Sequence, residues 1–456
     1  MLRFLRGIPS FKNASLQIKN FILGRLEIMK GYREMTKEEL LKVREELNER
    51  YEKCKALNLT LDMTRGKPSP IQLDLSNDIY DTLKDGFKTA KNEDTRNYGI
   101  APGIEEIRAV FAELLGTDKD NIFMGNSSSL NQMYDALMRS MVFGEVDSPK
   151  PWSQVEGRKW LCPAPGYDRH FRVTETMGFE LIAVPMTENG PDMDVVEELV
   201  KDENVKGIWC VPCYSNPDGV VYSAEVCERL AKMETAAPDF RIFWDNAYVC
   251  HHLYEDRNTW GKLPDMLSLC ESFGHANRVY EFASSSKITF AGGGISCFAA
   301  NKDNMTWAKK YLNAQAICTN KVNQLAHARY LPDAEAVYAH MMKHAAILRP
   351  KFEACQNVLE EELGFDTLWH WTKPNGGYFV SFYAMPGTAT KIVAMCKEAG
   401  VALTPAGASY PYGKDPSDSN IRLAPSFPGI EDIEKAVRIL TICAKITAVD
   451  KLLEDL

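Results

Sequence analysis

The chain has 456 residues, 45% hydrophobic and 25% charged, an ordinary globular composition with enough length for two or three domains. Its formal charge of −9 gives no global attraction to nucleic acid or to an anionic membrane surface. No apolar run reaches the roughly 18 residues that a membrane-spanning helix needs, so we expect neither a nucleic-acid nor a membrane partner.

Residues 1–34 are basic for their length, with Arg3, Arg6, Lys12, Lys19, Arg25, Lys30 and Arg33 against Glu27 and Glu34. They hold no continuous apolar segment or small-residue cleavage site, which argues against a secretory signal. A transit peptide is one reading; the one we adopt is a basic extension ahead of Met35.

Thr36-Lys37-Glu38-Glu39 is a capping-box pattern, followed by Leu40, Val43, Leu47, Tyr51 and Cys54 at helical spacing, which predicts a helix to about Leu57. Turn-rich Leu61–Pro68 and the loop Asn97–Gly103 come next, then a helix with Ile104, Ile107, Val110, Phe111 and Leu114 on one face. Short apolar runs then alternate with helical patterns. The strand candidates are 122–124, 160–162, 181–184, 208–211, 242–244, 279–282 and 295–298. This alternation predicts an α/β large domain with a mostly parallel seven-stranded sheet between helices.

After Leu331-Pro332-Asp333 the pattern changes. A long helix to about Glu362 is followed by strand-like runs at 368–371 and 378–383, a helix at 388–399, a strand at 421–423 and a last helix from Ile430. We expect a small α+β domain here that also includes the helix after Thr36. The expected division is therefore an extension at 1–34, small-domain segments at 35–72 and 333–456, and a large domain at 73–332.

Ligands of open parallel sheets bind beyond the carboxyl ends of the strands, so the residues that follow each strand are informative. After 122–124 come Gly125 and Asn126, then Ser127, Ser128 and Ser129 at a helix N-terminus, which suits a phosphate, or else a simple Ser cap. After 160–162 a Pro-rich loop presents Tyr167. After 208–211 comes Asn216; after 242–244 come Asp245 and Tyr248; after 279–282 come Ser284-Ser285-Ser286-Lys287. Asp245 has a structural reading as a helix cap, and Lys287 one as a solvated turn lysine. Taken together, five strand ends offer a phosphate cradle, a flat ring, an amide, a carboxylate with a phenol, and an amine. Pyridoxal 5'-phosphate uses all five. The 12 cysteines, with Cys210 and Cys213 as the one C-x-x-C, read as reduced packing thiols of a cytoplasmic protein, and no metal site is expected.

The motifs Asn97-Tyr98 before Pro102-Gly103, Asn216-Pro217-x-Gly219, Asp245-x-x-Tyr248, Ser284-x-x-Lys287, Asn375-Gly376-Gly377 and Ile421-Arg422-Leu423 resemble those of fold-type I pyridoxal-phosphate aminotransferases. Asp62–Pro68, Cys162–His170 and Lys321–Leu325 are similar to the aspartate aminotransferase subgroup called Ic. The resemblance implies that Lys287 engages the cofactor's aldehyde and shuttles the proton, that Asp245 pairs with the pyridine nitrogen, and that Tyr248 and Asn216 hold the phenolic oxygen. It implies that Tyr167 stacks on the ring, that Ser127, Ser128, Ser129 and Ser284 bind phosphate, and that Tyr98 reaches the phosphate of a neighbouring subunit in a homodimer with shared sites. Arg422 matches the clamp on the substrate α-carboxylate, with Asn216, Gly66 and Arg65 on the substrate side.

The sequence departs from the family twice. The phosphate-binding arginine of many relatives falls here in Ala291–Ile295, and Lys321 is the candidate replacement. No clear match exists for the arginine that reads a distal carboxylate; Arg65, Lys67 and Arg329 are candidates. The implied function is amino transfer from L-aspartate to 2-oxoglutarate by a ping-pong mechanism. The alternatives are an aminotransferase for neutral or aromatic amino acids, a β-lyase on the same fold, or a DNA-binding regulator built on an aminotransferase-like domain.

Overall fold

The computed structural model describes residues 30–456. Thirteen strands follow in chain order: β1 (Leu61–Asp62), β2 (Ile122–Met124), β3 (Lys159–Ala164), β4 (Glu180–Thr187), β5 (Gly190–Pro191), β6 (Val205–Cys210), β7 (Arg241–Asp245), β8 (Val279–Ser284), β9 (Ser296–Ala299), β10 (His370–Trp371), β11 (Val380–Tyr383), β12 (Val401–Ala402) and β13 (Asn420–Leu423).

The large sheet has eight strands in the order β2-β9-β8-β7-β6-β3-β4-β5. From β4 to β8 across the sheet, neighbours pair in parallel, while β9 runs antiparallel to both β8 and β2. The eighth strand beyond the expected seven is β5, two residues paired antiparallel with the end of β4. It is too short to leave a periodic signal.

Successive strand residues point to opposite faces, and here both faces are covered. Leu161, Ile208, Ile242, Trp244 and Val279 enter one core. Their neighbours Trp160, Cys162, Trp209, Phe243 and Tyr280 enter another. Burial on both sides removes the need for polar alternation, so these strands read as continuous apolar runs.

The remaining strands belong to a third core. Strands β10, β11 and β13 form an antiparallel sheet, and β1 pairs in parallel with β12 through Leu61↔Val401 and Asp62↔Ala402. The capping box forms: Thr36 Oγ1 accepts from Glu39 N at 3.3 Å, and Glu39 Oε2 accepts from Thr36 N at 2.7 Å. Helix Lys37–Ala56 then buries Leu40, Val43, Leu47, Tyr51 and Cys54 in this core with the helices Ala334–Leu363 and Ile430–Glu454. Of the expected extension, residues 1–29 lie outside the described residues. Tyr32 is buried edge-on against Phe365 and Trp369, and its backbone N–H donates to Asp366 Oδ2 at 2.7 Å.

Candidate active site

Four strands of the large sheet end at one cavity. Strand β3 leads to Tyr167, β6 to Asn216, β7 ends in Asp245 with Tyr248 just beyond, and β8 leads to Ser286 and Lys287; all of these line it. Ser128 and Ser129 close one side from the start of helix Ser129–Phe143, where Ser128 Oγ accepts from Leu130 N at 3.2 Å. Gly66 and Phe379 close the other side.

Asp245 is 3% exposed, and its two oxygens are in different situations. Oδ2 lies 3.0 Å from His170 Nε2, whereas Oδ1 is buried with no hydrogen-bond partner. His170 is held by stacking on Trp209, with centroids 4.3 Å apart and planes 12° apart. A buried carboxylate oxygen without a donor is costly unless something supplies one. The Lys287 ammonium sits 4.7 Å from the Tyr248 ring centroid. Burial raises the Tyr248 phenol well above its ordinary range and pushes the Tyr167 phenol up to about 12, so both stay protonated donors at neutral pH.

Arg422 reaches the site from β13. Its Nη1 donates to Asn216 Oδ1 at 3.2 Å and to Asp168 Oδ1 at 3.1 Å, its guanidinium lies 5.1 Å from the Phe379 ring centroid, and its buried Nε has no partner. Helix Asp168–Thr176 therefore serves both charged anchors from its first turn, Asp168 toward Arg422 and His170 toward Asp245. Gly66 is small for a local reason: a Cβ there would lie 2.3 Å from Phe379 Cζ.

Other expected site residues are not part of that cavity's lining. Ser127 lines a neighbouring cleft with Gly292, Gly293 and Gly294. Ser284 Oγ is 2.9 Å from Ser286 Oγ, and Ser286 is the one of the two that lines the cavity. Tyr98 is 77% exposed, and Arg65 is also exposed. Lys321 is buried and outside the cavity lining. Its ammonium donates to Asn97 O at 2.6 Å and Gly99 O at 2.7 Å, which fixes the loop that carries Tyr98. The glycine run that stands where an arginine was expected is held by Asn323 Nδ2, which donates to Gly293 O and Gly294 O. Arg329 donates to the carbonyls of Thr82, Gly86 and Lys88, and Lys67 Nζ lies 4.1 Å from the Phe427 ring centroid. Cys210 and Cys213 are buried free thiols that burial drives upward in pKa, so they do not form a reactive pair.

His170, Asp168, Ser286 and Phe379 are the site residues that sequence reading left unassigned. His170 and Asp168 lie in the Cys162–His170 motif, one helical turn past a strand end, and that position was the available signal.

The donor set fits a planar, phosphorylated pyridine aldehyde. An orphaned carboxylate oxygen suits a protonated ring nitrogen, a helix N-terminus with Ser128 suits phosphate, and an amine shares the same cavity. A family model for aspartate amino-transferase matches residues 35–455. An aspartate aminotransferase of Corynebacterium glutamicum is 48% identical over 407 residues, 89% of this chain and 94% of that one. The crystal structure of an aspartate transaminase from Corynebacterium glutamicum superposes with a TM-score of 0.90 at 46% identity, covering 93% of this chain and 100% of that one. An α-aminoadipate aminotransferase from Thermus thermophilus, complexed with N-(5'-phosphopyridoxyl)-L-leucine, shares the fold: TM-score 0.68 at 22% identity, covering 87% and 94%.

Proposed function

The chain belongs to the aspartate amino-transferase family and is an aminotransferase, and on that premise we propose that it moves the amino group of L-aspartate to 2-oxoglutarate by a ping-pong mechanism with pyridoxal 5'-phosphate. The observation that carries this reading is the unpartnered, buried Oδ1 of Asp245 in the same cavity as Lys287. When bound, the cofactor supplies an aldehyde for the amino group and a ring that accepts the electrons of a broken Cα–H bond.

The chain's own groups do the rest. Asp245 offers Oδ1 to the proton of the ring nitrogen, and His170 keeps the carboxylate in place from Oδ2. Tyr167 presents its ring face, while Tyr248 and Asn216 hold the phenolic oxygen. Ser128, Ser129, Ser284 and Ser286 hold the phosphate together with the N-terminus of helix Ser129–Phe143, and Ser127 flanks them. Lys287 takes the substrate's Cα proton at Nζ and would deliver it across the substrate nitrogen to the carbon of the cofactor's aldehyde. Arg422 clamps the α-carboxylate, for which its fork geometry suits it. Arg65, beside Gly66 at the cavity, is the cation we assign to the distal carboxylate. Lys321 acts through the loop of Tyr98.

A homodimer is supported by the exposure of Tyr98 and by an apolar stripe of Tyr134, Met138 and Val142 on the helix that starts at Ser129. The division into a large domain at 73–332 and small-domain segments at 35–72 and 333–456 is supported by the pairing of β1 with β12. A cytoplasmic setting is supported by the unpaired state of every cysteine among the described residues. Among those residues no helix is long and apolar enough to cross a membrane.

A substrate panel tests the reading. Aspartate with 2-oxoglutarate is expected to turn over faster than neutral or aromatic amino acids. Preference for those, or pyruvate release from a cysteine-type substrate, would replace it with one of the two alternatives on this fold.

A further inference from the structure

Glu281 is an acidic residue in the interior of β8, 2% exposed, with Trp244 opposite on β7 and Ala299 opposite on β9. Its Oε1 accepts from Asn246 Nδ2 at 3.1 Å. The other oxygens of the same two side chains, Glu281 Oε2 and Asn246 Oδ1, are both buried without a hydrogen-bond partner. If the carboxyl is ionised, both are acceptors only, and two buried oxygens go without a donor. Rotating the amide does not help, because one oxygen always remains. A proton on Oε2 supplies the one donor that this pair of side chains lacks.

The surroundings favour that proton. Burial acts first and Asp265, the cap of helix Met266–Ser272, acts in the same direction; Asn246 alone acts against them. From β9 comes Cys297, a thiol that burial keeps neutral. Burial pushes the Glu281 carboxyl up to about 8.

We propose that Glu281 is carried as the neutral acid and forms a two-bond acid–amide clasp with Asn246, which makes it a positioning residue for Asp245. The Glu281 hydroxyl donates to Asn246 Oδ1, and Asn246 Nδ2 donates to Glu281 Oε1. Asn246 follows Asp245 directly, and its backbone N–H donates to Phe282 O at 2.8 Å. Backbone and side chain of Asn246 are thus both tied to β8, which fixes the strand end on which Asp245 stands. The protonation stands on the orphaned atoms alone; the positioning consequence rests on the role proposed for Asp245.

The test compares the wild-type protein with E281Q, whose amide can make both bonds at any pH, and with E281L, which makes neither. The infrared spectrum of the wild type at pH 7 is expected to contain the carbonyl stretch of a buried protonated carboxylic acid, missing in E281Q and fading as pH rises through about 8. Thermal stability of E281Q relative to wild type is expected to grow as pH rises from about 5 to about 8, the window in which the wild type must hold its proton to stay folded. E281L is expected to lower kcat roughly tenfold at all pH, as loss of a buried hydrogen-bond pair does, with E281Q restoring it and lacking the wild type's loss near pH 8. Identical wild-type and E281Q spectra, with a stability difference flat in pH, would overturn the protonation whether or not the protein transaminates. Equal kcat profiles for all three proteins would overturn the positioning role. If E281L does not accumulate, the spectrum, the stability difference and the E281Q pH profile decide.

Discussion

His170 Nε2 lies 3.0 Å from Asp245 Oδ2, and both side chains are buried. The contact engages one oxygen of the carboxylate, while the other, Oδ1, is buried without a hydrogen-bond partner. Because the imidazole is wedged against Trp209, the carboxylate is held by a rigid partner.

Removing that partner with His170→Ala is expected to lower kcat by about 10- to 100-fold, the equivalent of one hydrogen bond to a charged group. KM for the amino acid should change little, since Arg422 is untouched. Steady-state kinetics check this, and an unchanged kcat would show that Asp245 needs no support.

Gly66→Ala tests how closely the Gly66 backbone approaches Phe379. The added Cβ would sit 2.3 Å from Phe379 Cζ, and the Phe379 ring lies against the Arg422 guanidinium. Overpacking of this kind costs about 1–3 kcal/mol. The displaced ring should shift Arg422, so KM for aspartate is expected to rise roughly tenfold by that same energy, while kcat falls less. A variant with wild-type KM would mean that the ring yields without moving the arginine.

Lys321→Ala removes the ammonium that holds the carbonyls of Asn97 and Gly99. The melting temperature is expected to fall by the equivalent of about 1–3 kcal/mol, equally with and without cofactor. A loss confined to the cofactor-loaded protein would instead assign Lys321 to the phosphate.

Asp218 ties the loop after β6 to β11: Tyr383 OH donates to its Oδ1 at 2.8 Å, and burial pushes its carboxyl up to about 6 from 3.8. The folded protein therefore holds a proton that the unfolded chain has lost between these values. Stability from this group is complete below about pH 4 and is lost as pH rises to about 6, by at most about 3 kcal/mol. Asp218→Asn keeps an acceptor for Tyr383 and has no proton to lose. Denaturation at pH 4 and pH 7 should show the variant gaining on the wild type at the higher pH; a gap of equal size at both would contradict the shift.

Much of the fold could be read from the chain because the large sheet is buried on both faces. Runs such as 242–244 and 279–282 carry apolar residues for both cores and stand out as strands. The antiparallel sense of β9 could not be read, since a buried run looks the same in either direction, and β5 is too short to register. The residues at the strand ends were legible because Tyr167, Asn216, Asp245 and Lys287 follow apolar runs, and these four line one cavity. The contacts between them were not. His170 with Asp245, Arg422 with Asp168, and Lys321 with Asn97 join residues far apart in sequence, and nothing local in the chain pairs them. Glu281 passed as part of an apolar run because its burial becomes informative only once Asn246 is seen beside it.

In the proposed reaction Lys287 and Asp245 serve amino transfer from aspartate in the cavity that both line. The most direct measurement mixes the cofactor-loaded protein with L-aspartate alone and follows bleaching of the yellow absorbance together with oxaloacetate. One oxaloacetate per site is expected from the wild type, with Lys287→Ala slower by at least about 100-fold, the lower end for a positioned proton-transfer group. No oxaloacetate from the wild type, or a Lys287→Ala variant that reacts at the wild-type rate, would contradict it.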